Sequence, residues 1–320
     1  MELATLPAHP RQRVIIMSSK WLLSMALVVI PGAWAAGGAL PGTVNYVEGQ
    51  VTVNGNPVAG VQNGSTAILA GQSLSVGTGK AEILLSPGTF LRVGSGSEIR
   101  MVSVDLSDPQ AEVVHGEAVL EVDFKPKMAR MNIMERGADT QILKEGLYRF
   151  DAEKGTVEVI DGKASVAENG HSKEIGKGKE LVLTGDTLKA TSFDAKSEDE
   201  LYRWSSVRDS YLAQASEASA RTVYVDGGWG PGFGMGWGLG WYWNPYYATY
   251  AWLPGDGYFW SPFGYPFFSP GYVVYAPGIR FRGYPGDVGA AFVGGRVGSV
   301  AAAPRFSGGM AAGRMGGGRR

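Results

Sequence analysis

The chain has 320 residues, enough for one or two domains whose apolar cores need no covalent staple. It contains no cysteine, which excludes disulfides, thiolate metal sites and a bacterial lipid anchor. The net charge of -1 conceals an uneven distribution: residues 36–221 carry 19 basic against 26 acidic side chains, whereas 278–320 carry seven arginines against Asp287 alone.

At the N-terminus, Arg11, Arg13 and Lys20 precede the apolar run WLLSMALVVI, and Ala33-Trp34-Ala35 supplies the small residues a signal peptidase accepts. As a helix that run reaches roughly 21 Å at most, short of the roughly 30 Å of a bilayer core. The pattern predicts a signal peptide over 1–35, general secretory export and a periplasmic or secreted protein, with Met17 as an alternative start. The competing expectation is an uncleaved inner-membrane anchor holding a periplasmic domain, because Pro31 and Gly32 can equally close a short membrane helix.

Residues 43–190 read as all-β. Segments such as TVNYV, AEILL, TFLRV, AVLEV, LYRF and TVEVI recur about every ten residues, separated by Gly, Asn, Asp and Pro. No stretch here is long enough for the helix of a βαβ crossover, which argues against a parallel nucleotide-binding sheet. Three segments share one grammar, a strand ending at glycine with another leaving at once: YVEGQVTVNG, VVHGEAVLEV and VIDGKASVAENG. Their uneven spacing fits related hairpins or coils rather than a strict repeat, and predicts a short-stranded solenoid-like or sandwich-like domain. Gly49, Gly79, Gly116, Gly146 and Gly162 are its expected turn glycines.

The span 196–221 reads as one amphipathic helix. Ser197 and Glu200 have capping-box spacing, and Leu201, Trp204, Val207, Tyr211 and Leu212 fall at helical intervals, a stripe expected to pack on the β domain. From 226 to 277 the chain is Gly, Pro and aromatic, including WYWNPYYATYAWLPGDGYFW; Trp241, Tyr242, Trp243, Tyr246, Tyr247, Trp252 and Trp260 are its candidate interaction residues. Three roles compete for this block: an exported interaction surface, a wrap over exposed strand edges, or membrane insertion, the last disfavoured by its frequent breakers. Slow proteolysis would mark it as docked and prompt cutting as free. The Gly/Ala/Arg tail over 278–320 is expected to be disordered.

Chemistry is sparse. His9 lies in the export segment, and His115 and His171 lack a partner at metal-ligand spacing. Glu117, Glu121 and Asp123 alternate along one strand and so share a face, read as the polar side of an amphipathic strand rather than a glycosidase pair. GWGPGFGMGWG lacks the lysine and the strand-to-helix context of a phosphate loop. No catalytic, cofactor or metal site is expected, and the protein reads as a non-enzyme. The arginine tail suggests weak attraction to anionic envelope material; with export, nucleic acid is not an expected partner, while an envelope protein, peptidoglycan or lipopolysaccharide is.

Taken in order, YVEGQVTVNG, GQSLSVGTGKAEILLSPGTFLRVGSGSEIRM, EVVHGEAVLEV, LKEGLYRFDAEKGTVEVIDGKASV and IGKGKELVLTG resemble the periplasmic FecR domain over about 140 residues. Leu74, Thr78, Gly79 and Ala81 match one family element, Gly116 a second, Gly146 and Phe150 a third, and Gly162 a fourth. The resemblance implies a β-rich, solenoid-like periplasmic module without catalytic residues. FecR proteins of the iron-uptake type relay a signal from an outer-membrane transducer to a sigma factor through a cytoplasmic segment and a membrane helix. This chain departs from them in its short N-terminal segment, its cleavable run, and a helix and aromatic block where a distal subdomain would stand. It looks closest to exported single-domain FecR-like proteins with aromatic C-termini.

Overall fold

The structure, a computed structural model, describes residues 39–58, 66–183, 188–194, 198–225 and 240–273. The expected signal peptide and the arginine tail lie outside the described residues. Among the described residues the protein is all-β apart from one helix. In chain order the strands are β1 (Thr43–Val53), β2 (Asn56–Pro57), β3 (Ser73–Ser86), β4 (Thr89–Val93), β5 (Ser97–Asp105), β6 (Asp108–His115) and β7 (Glu117–Val122). There follow β8 (Asn132–Glu135), β9 (Ala138–Ile142), β10 (Gly146–Asp151), β11 (Thr156–Asp161), β12 (Lys163–Glu168), β13 (His171–Gly176), β14 (Lys179–Val182) and β15 (Ala190–Ser192). After them come α1 (Glu200–Val225), β16 (Gly240–Asn244), β17 (Thr249–Leu253), β18 (Tyr258–Trp260) and β19 (Pro266–Phe268).

The first fifteen strands form one sheet, ordered β13-β12-β9-β8-β6-β5-β3-β4-β7-β10-β11-β14-β15, with β1 alongside β3 and β2 beside β1. The long β3 is its fold line. Ser73–Val76 pair with β5 in one layer, and Ala81–Ser86 pair with β4 in the other, so the sheet doubles back into a sandwich. Every described pairing is antiparallel except β6 with β8. Ile99, Met101, Val113 and Ile133 of the first layer share one buried cluster with Leu91, Val93, Leu120 and Phe150 of the second. Alternation along each strand supplies that inward set.

The chain passes between layers repeatedly, and the expected glycines sit at the passages: Gly79 within β3, Gly116 between β6 and β7, Gly146 opening β10, and Gly162 between β11 and β12. Gly49 of β1 faces Gly79 across the fold line, with φ of 77° and 120°. A Cβ on Gly79 would lie 1.8 Å from the Glu48 carbonyl oxygen, and one on Gly49 would lie 2.0 Å from that of Thr78. Two bare backbones are what let this ribbon bend so tightly. At Gly162, a Cβ would fall 2.2 Å from the Tyr148 hydroxyl, which accepts from the Lys163 amide and donates to the Lys144 carbonyl. The grammar shared by three segments is therefore a layer-crossing signal.

After α1, β16 pairs with β17 and β18 with β19 as short antiparallel hairpins. They pack with α1 against the outer face of the second layer, where Leu84, Phe90, Leu212, Tyr250, Trp252 and Phe267 form a second cluster. That layer is consequently buried on both sides, and all five residues of β4 are buried.

Candidate functional site

The covered face carries more than apolar side chains. Register places Glu82 of β3 opposite Arg92 of β4, and Phe90 of β4 opposite Glu121 of β7. Odd-even alternation turns all four outward, and Asp123 continues the same side just beyond β7. From above, α1 contributes Arg208 and Asp209. All six charged residues are buried: Glu82, Arg92, Glu121 and Asp209 are at 0% exposure, Asp123 at 4% and Arg208 at 6%.

The contacts are specific. Arg92 donates through Nε to Glu82 Oε2 at 3.0 Å and through Nη1 to Glu121 Oε2. Arg208 donates through Nε to Glu82 Oε1 at 3.0 Å and through Nη2 to Thr249 Oγ1 at 2.6 Å, and its guanidinium lies 4.6 Å from the Tyr46 ring centroid. Asn45 completes the Glu82 shell at 2.9 Å and also bonds the Tyr250 backbone in both directions. Ser261 donates to Asp209 Oδ2. Sheet, helix and aromatic hairpins thus meet on one network of charge-assisted hydrogen bonds.

Its electrostatics are lopsided. Glu82 and Glu121 balance the two arginines, which leaves Asp123 and Asp209 without counter-charge. Burial pushes the Asp123 and Asp209 carboxyls well above the usual range, Glu121 adding to the effect on each; burial also raises Glu121, against the pull of Arg92. Burial alone would lower the Arg92 guanidinium, but Glu121 and Glu82 outweigh it and hold it above its ordinary value. Glu121 Oε1, both oxygens of Asp123 and Asp209 Oδ1 receive no hydrogen bond, although the three carboxylates have oxygens within 4.8 Å of one another.

The helix presents its polar side inward. Its buried residues are Leu201, Ser205, Ser206, Arg208, Asp209, Leu212, Ala213, Ala215, Ser216, Ser219 and Ala220, whereas Val207 is 63% and Tyr211 38% exposed. The expected apolar stripe is corrected accordingly. Leu201, Trp204 and Leu212 do pack, and the small Ala213, Ala215 and Ser216 beyond them let β17 approach closely enough for Ser216 to donate to the Trp252 carbonyl at 2.7 Å. The helix begins and ends four residues later than expected. Asp199 caps it through the Tyr202 amide, and Ser197, the expected cap, lies outside the described residues.

The reading of Glu117, Glu121 and Asp123 as the polar side of an amphipathic strand keeps their common face but not an open one. Only Glu117 is half-buried at the rim; the other two are sealed beneath α1 and the hairpins. Of the candidate interaction residues, Trp252 is wholly buried, within 6.0 Å of Phe124 and 5.6 Å of Phe267 between ring centroids, and no partner can reach it. Trp241 meets Phe90 at 5.2 Å, Trp243 meets Tyr250 at 5.1 Å, Tyr247 meets Tyr211 at 5.1 Å, and Tyr242 packs beside Leu253 and Phe268. These rings serve docking first. Tyr246 and Trp260 face water at 63% and 53% exposure. Two further exposed rings, which composition alone did not single out, continue from Trp260: Tyr258 at 51% and Tyr272 at 45%. Tyr258 lies 6.5 Å from Trp260 and 6.4 Å from Tyr272 between ring centroids. His115 pairs with Glu153 at 2.6 Å on the surface, away from the buried cluster.

No protein-family model matches the chain, and no curated protein matches it. Among solved structures it is similar to two crystal structures of a "putative anti-sigma factor" from Parabacteroides distasonis, at 20% and 21% identity and a TM-score of 0.34 in each case. The likeness covers 39% of this chain and 61% of the other. At that level it says nothing about what the chain does.

Proposed function

We propose that this chain is an exported, non-enzymatic β module of the FecR type that works at the cell envelope through the outer side of its aromatic cover, with glycan strands as the partner. One observation carries the reading: the cover uses one side for docking and keeps a group of adjacent rings, Tyr258, Trp260 and Tyr272, in water. Alternation along β18 sends Tyr258 and Trp260 outward while Phe259 between them packs on Trp252 at 5.2 Å. Rings held by a folded support lose little entropy on contact, and tyrosine and indole edges add hydrogen bonds to the stacking that sugar faces favour.

The test compares the full chain with a Tyr258→Ala, Trp260→Ala, Tyr272→Ala triple variant in co-sedimentation with isolated peptidoglycan and with lipopolysaccharide. The wild type should co-sediment with glycan, and the variant should lose about tenfold in affinity while keeping its melting temperature. Equal binding by both would refute the surface, and capture of envelope protein alone would replace glycan by protein as the partner. Intact-mass analysis of protein from the producing cell addresses export: cleavage after Ala35 is expected. An uncleaved chain in the inner membrane would instead favour a membrane-held regulator of the FecR type.

A further inference from the structure

The buried carboxylates do not form a complete set with the groups around them. Asp123 is 4% exposed, and neither of its oxygens meets a donor. Glu121 and Asp209 each have one oxygen bonded, to Arg92 and Ser261 respectively, and one bare. Glu121 Oε1, both oxygens of Asp123 and Asp209 Oδ1 are thus left without a donor, and one ligand oxygen from each of the three residues lies within 4.8 Å of the other two. Opposite oxygens around a calcium ion are separated by about 4.6–5.2 Å, twice its usual bond length. Carboxylates whose second oxygen is hydrogen-bonded are the ordinary arrangement of an oriented ligand set. The charge agrees: four carboxylates face two guanidiniums, so the compartment lacks two positive charges.

We infer that Glu121, Asp123 and Asp209 bind one hard divalent cation, calcium by size, which ties the sheet to the helix beneath the aromatic cover. All-oxygen donors select calcium, magnesium or manganese over softer metals, and a compartment closed to bulk water disfavours magnesium, which gives up its hydration reluctantly. Glu121 and Asp123 come from the end of β7 and Asp209 from the middle of α1, so the ion would act as a latch between elements about 90 residues apart in the chain. The site is independent of whatever the outer rings bind.

The test uses the full-length chain stripped with EDTA and titrated with CaCl2, with MgCl2 as a second arm, followed by isothermal calorimetry and thermal unfolding. One calcium per chain should bind and raise the melting temperature by about 5 °C or more over the EDTA sample. Asp123→Asn and Asp209→Asn should each weaken binding at least about tenfold, whereas the surface change Glu174→Gln should not. No calcium uptake and identical unfolding in EDTA and CaCl2 would overturn the inference and leave two shared protons as the neutralising charge. Full binding in either asparagine variant would overturn it as well, and if neither variant folds, anomalous scattering from Mn2+ soaked into wild-type crystals decides by the presence or absence of a peak among the three carboxylates.

Discussion

Arg92 and Glu82 are cross-strand neighbours of a kind that contributes about 0–1 kcal/mol when exposed. Under the cover they cannot be solvated, and each survives because every charged oxygen of Glu82 has a partner from Arg92, Arg208 or Asn45. Glu135 shows the opposite case. It ends β8 fully buried, neither oxygen has a hydrogen-bond partner, and burial, aided by nearby Asp151 and opposed by Arg136, pushes its carboxyl up to about 8. The folded chain then keeps a proton that the unfolded chain releases near pH 4.5, so stability falls as pH rises from about 4.5 to about 8 and levels off above. Glu135→Gln should flatten this part of the profile and be more stable than wild type at pH 8, on the order of 3 kcal/mol, with little difference at pH 4. Urea unfolding at the two pH values checks it; parallel profiles would contradict it. At this scale the sequence showed that Glu121 and Asp123 share a face but not that the face is buried, because the side chains that seal it arrive 80 to 140 residues later.

The elements were legible where local chemistry decides them. Period-two alternation with Gly, Asn and Asp between runs marked the strands, and Asn54-Gly55 and Asn169-Gly170, all with positive φ, close hairpins as such pairs do. The layer crossings were half legible: the shared strand-glycine-strand grammar was visible, its meaning was not. Gly79→Ala tests that meaning. A methyl there would strike the Glu48 carbonyl and hold a non-glycine residue at φ 120°, so a loss of about 3 kcal/mol or more is expected, against less than about 1 kcal/mol for Gly240→Ala, whose φ is not positive and whose Cβ would meet open space. Similar midpoints for the two variants in chemical denaturation would contradict the fold-line role. Helix α1 was readable as a helix but not by face. Val207 and Tyr211 resembled a packing stripe, whereas the face that docks is polar because its counterpart on the sheet is charged. Apolar periodicity cannot report a complementarity of that kind.

At the largest scale, the described residues form a folded-over sheet whose second layer is enclosed by a cover made from the helix and two aromatic hairpins. The composition of 226–277 left interaction, wrapping and membrane insertion as alternatives. Within 240–273 the geometry separates buried from exposed rings: Trp252, Phe267 and Trp241 dock on the sheet and helix, while Tyr258, Trp260 and Tyr272 stay in water. A segment rich in glycine and proline can do this because its rings bury large areas once a prepared face receives them, here Leu84 and Phe90 of the sheet and Leu212 of the helix. The most direct measurement of this arrangement is hydrogen–deuterium exchange of the intact chain across Thr249–Leu253. Joint opening of cover and sheet predicts that these amides are protected to the level of β4 and β7 and lost together with them in denaturant. Exchange of Thr249–Leu253 within seconds, while β4 and β7 remain protected, would show that the cover is not part of the folded unit.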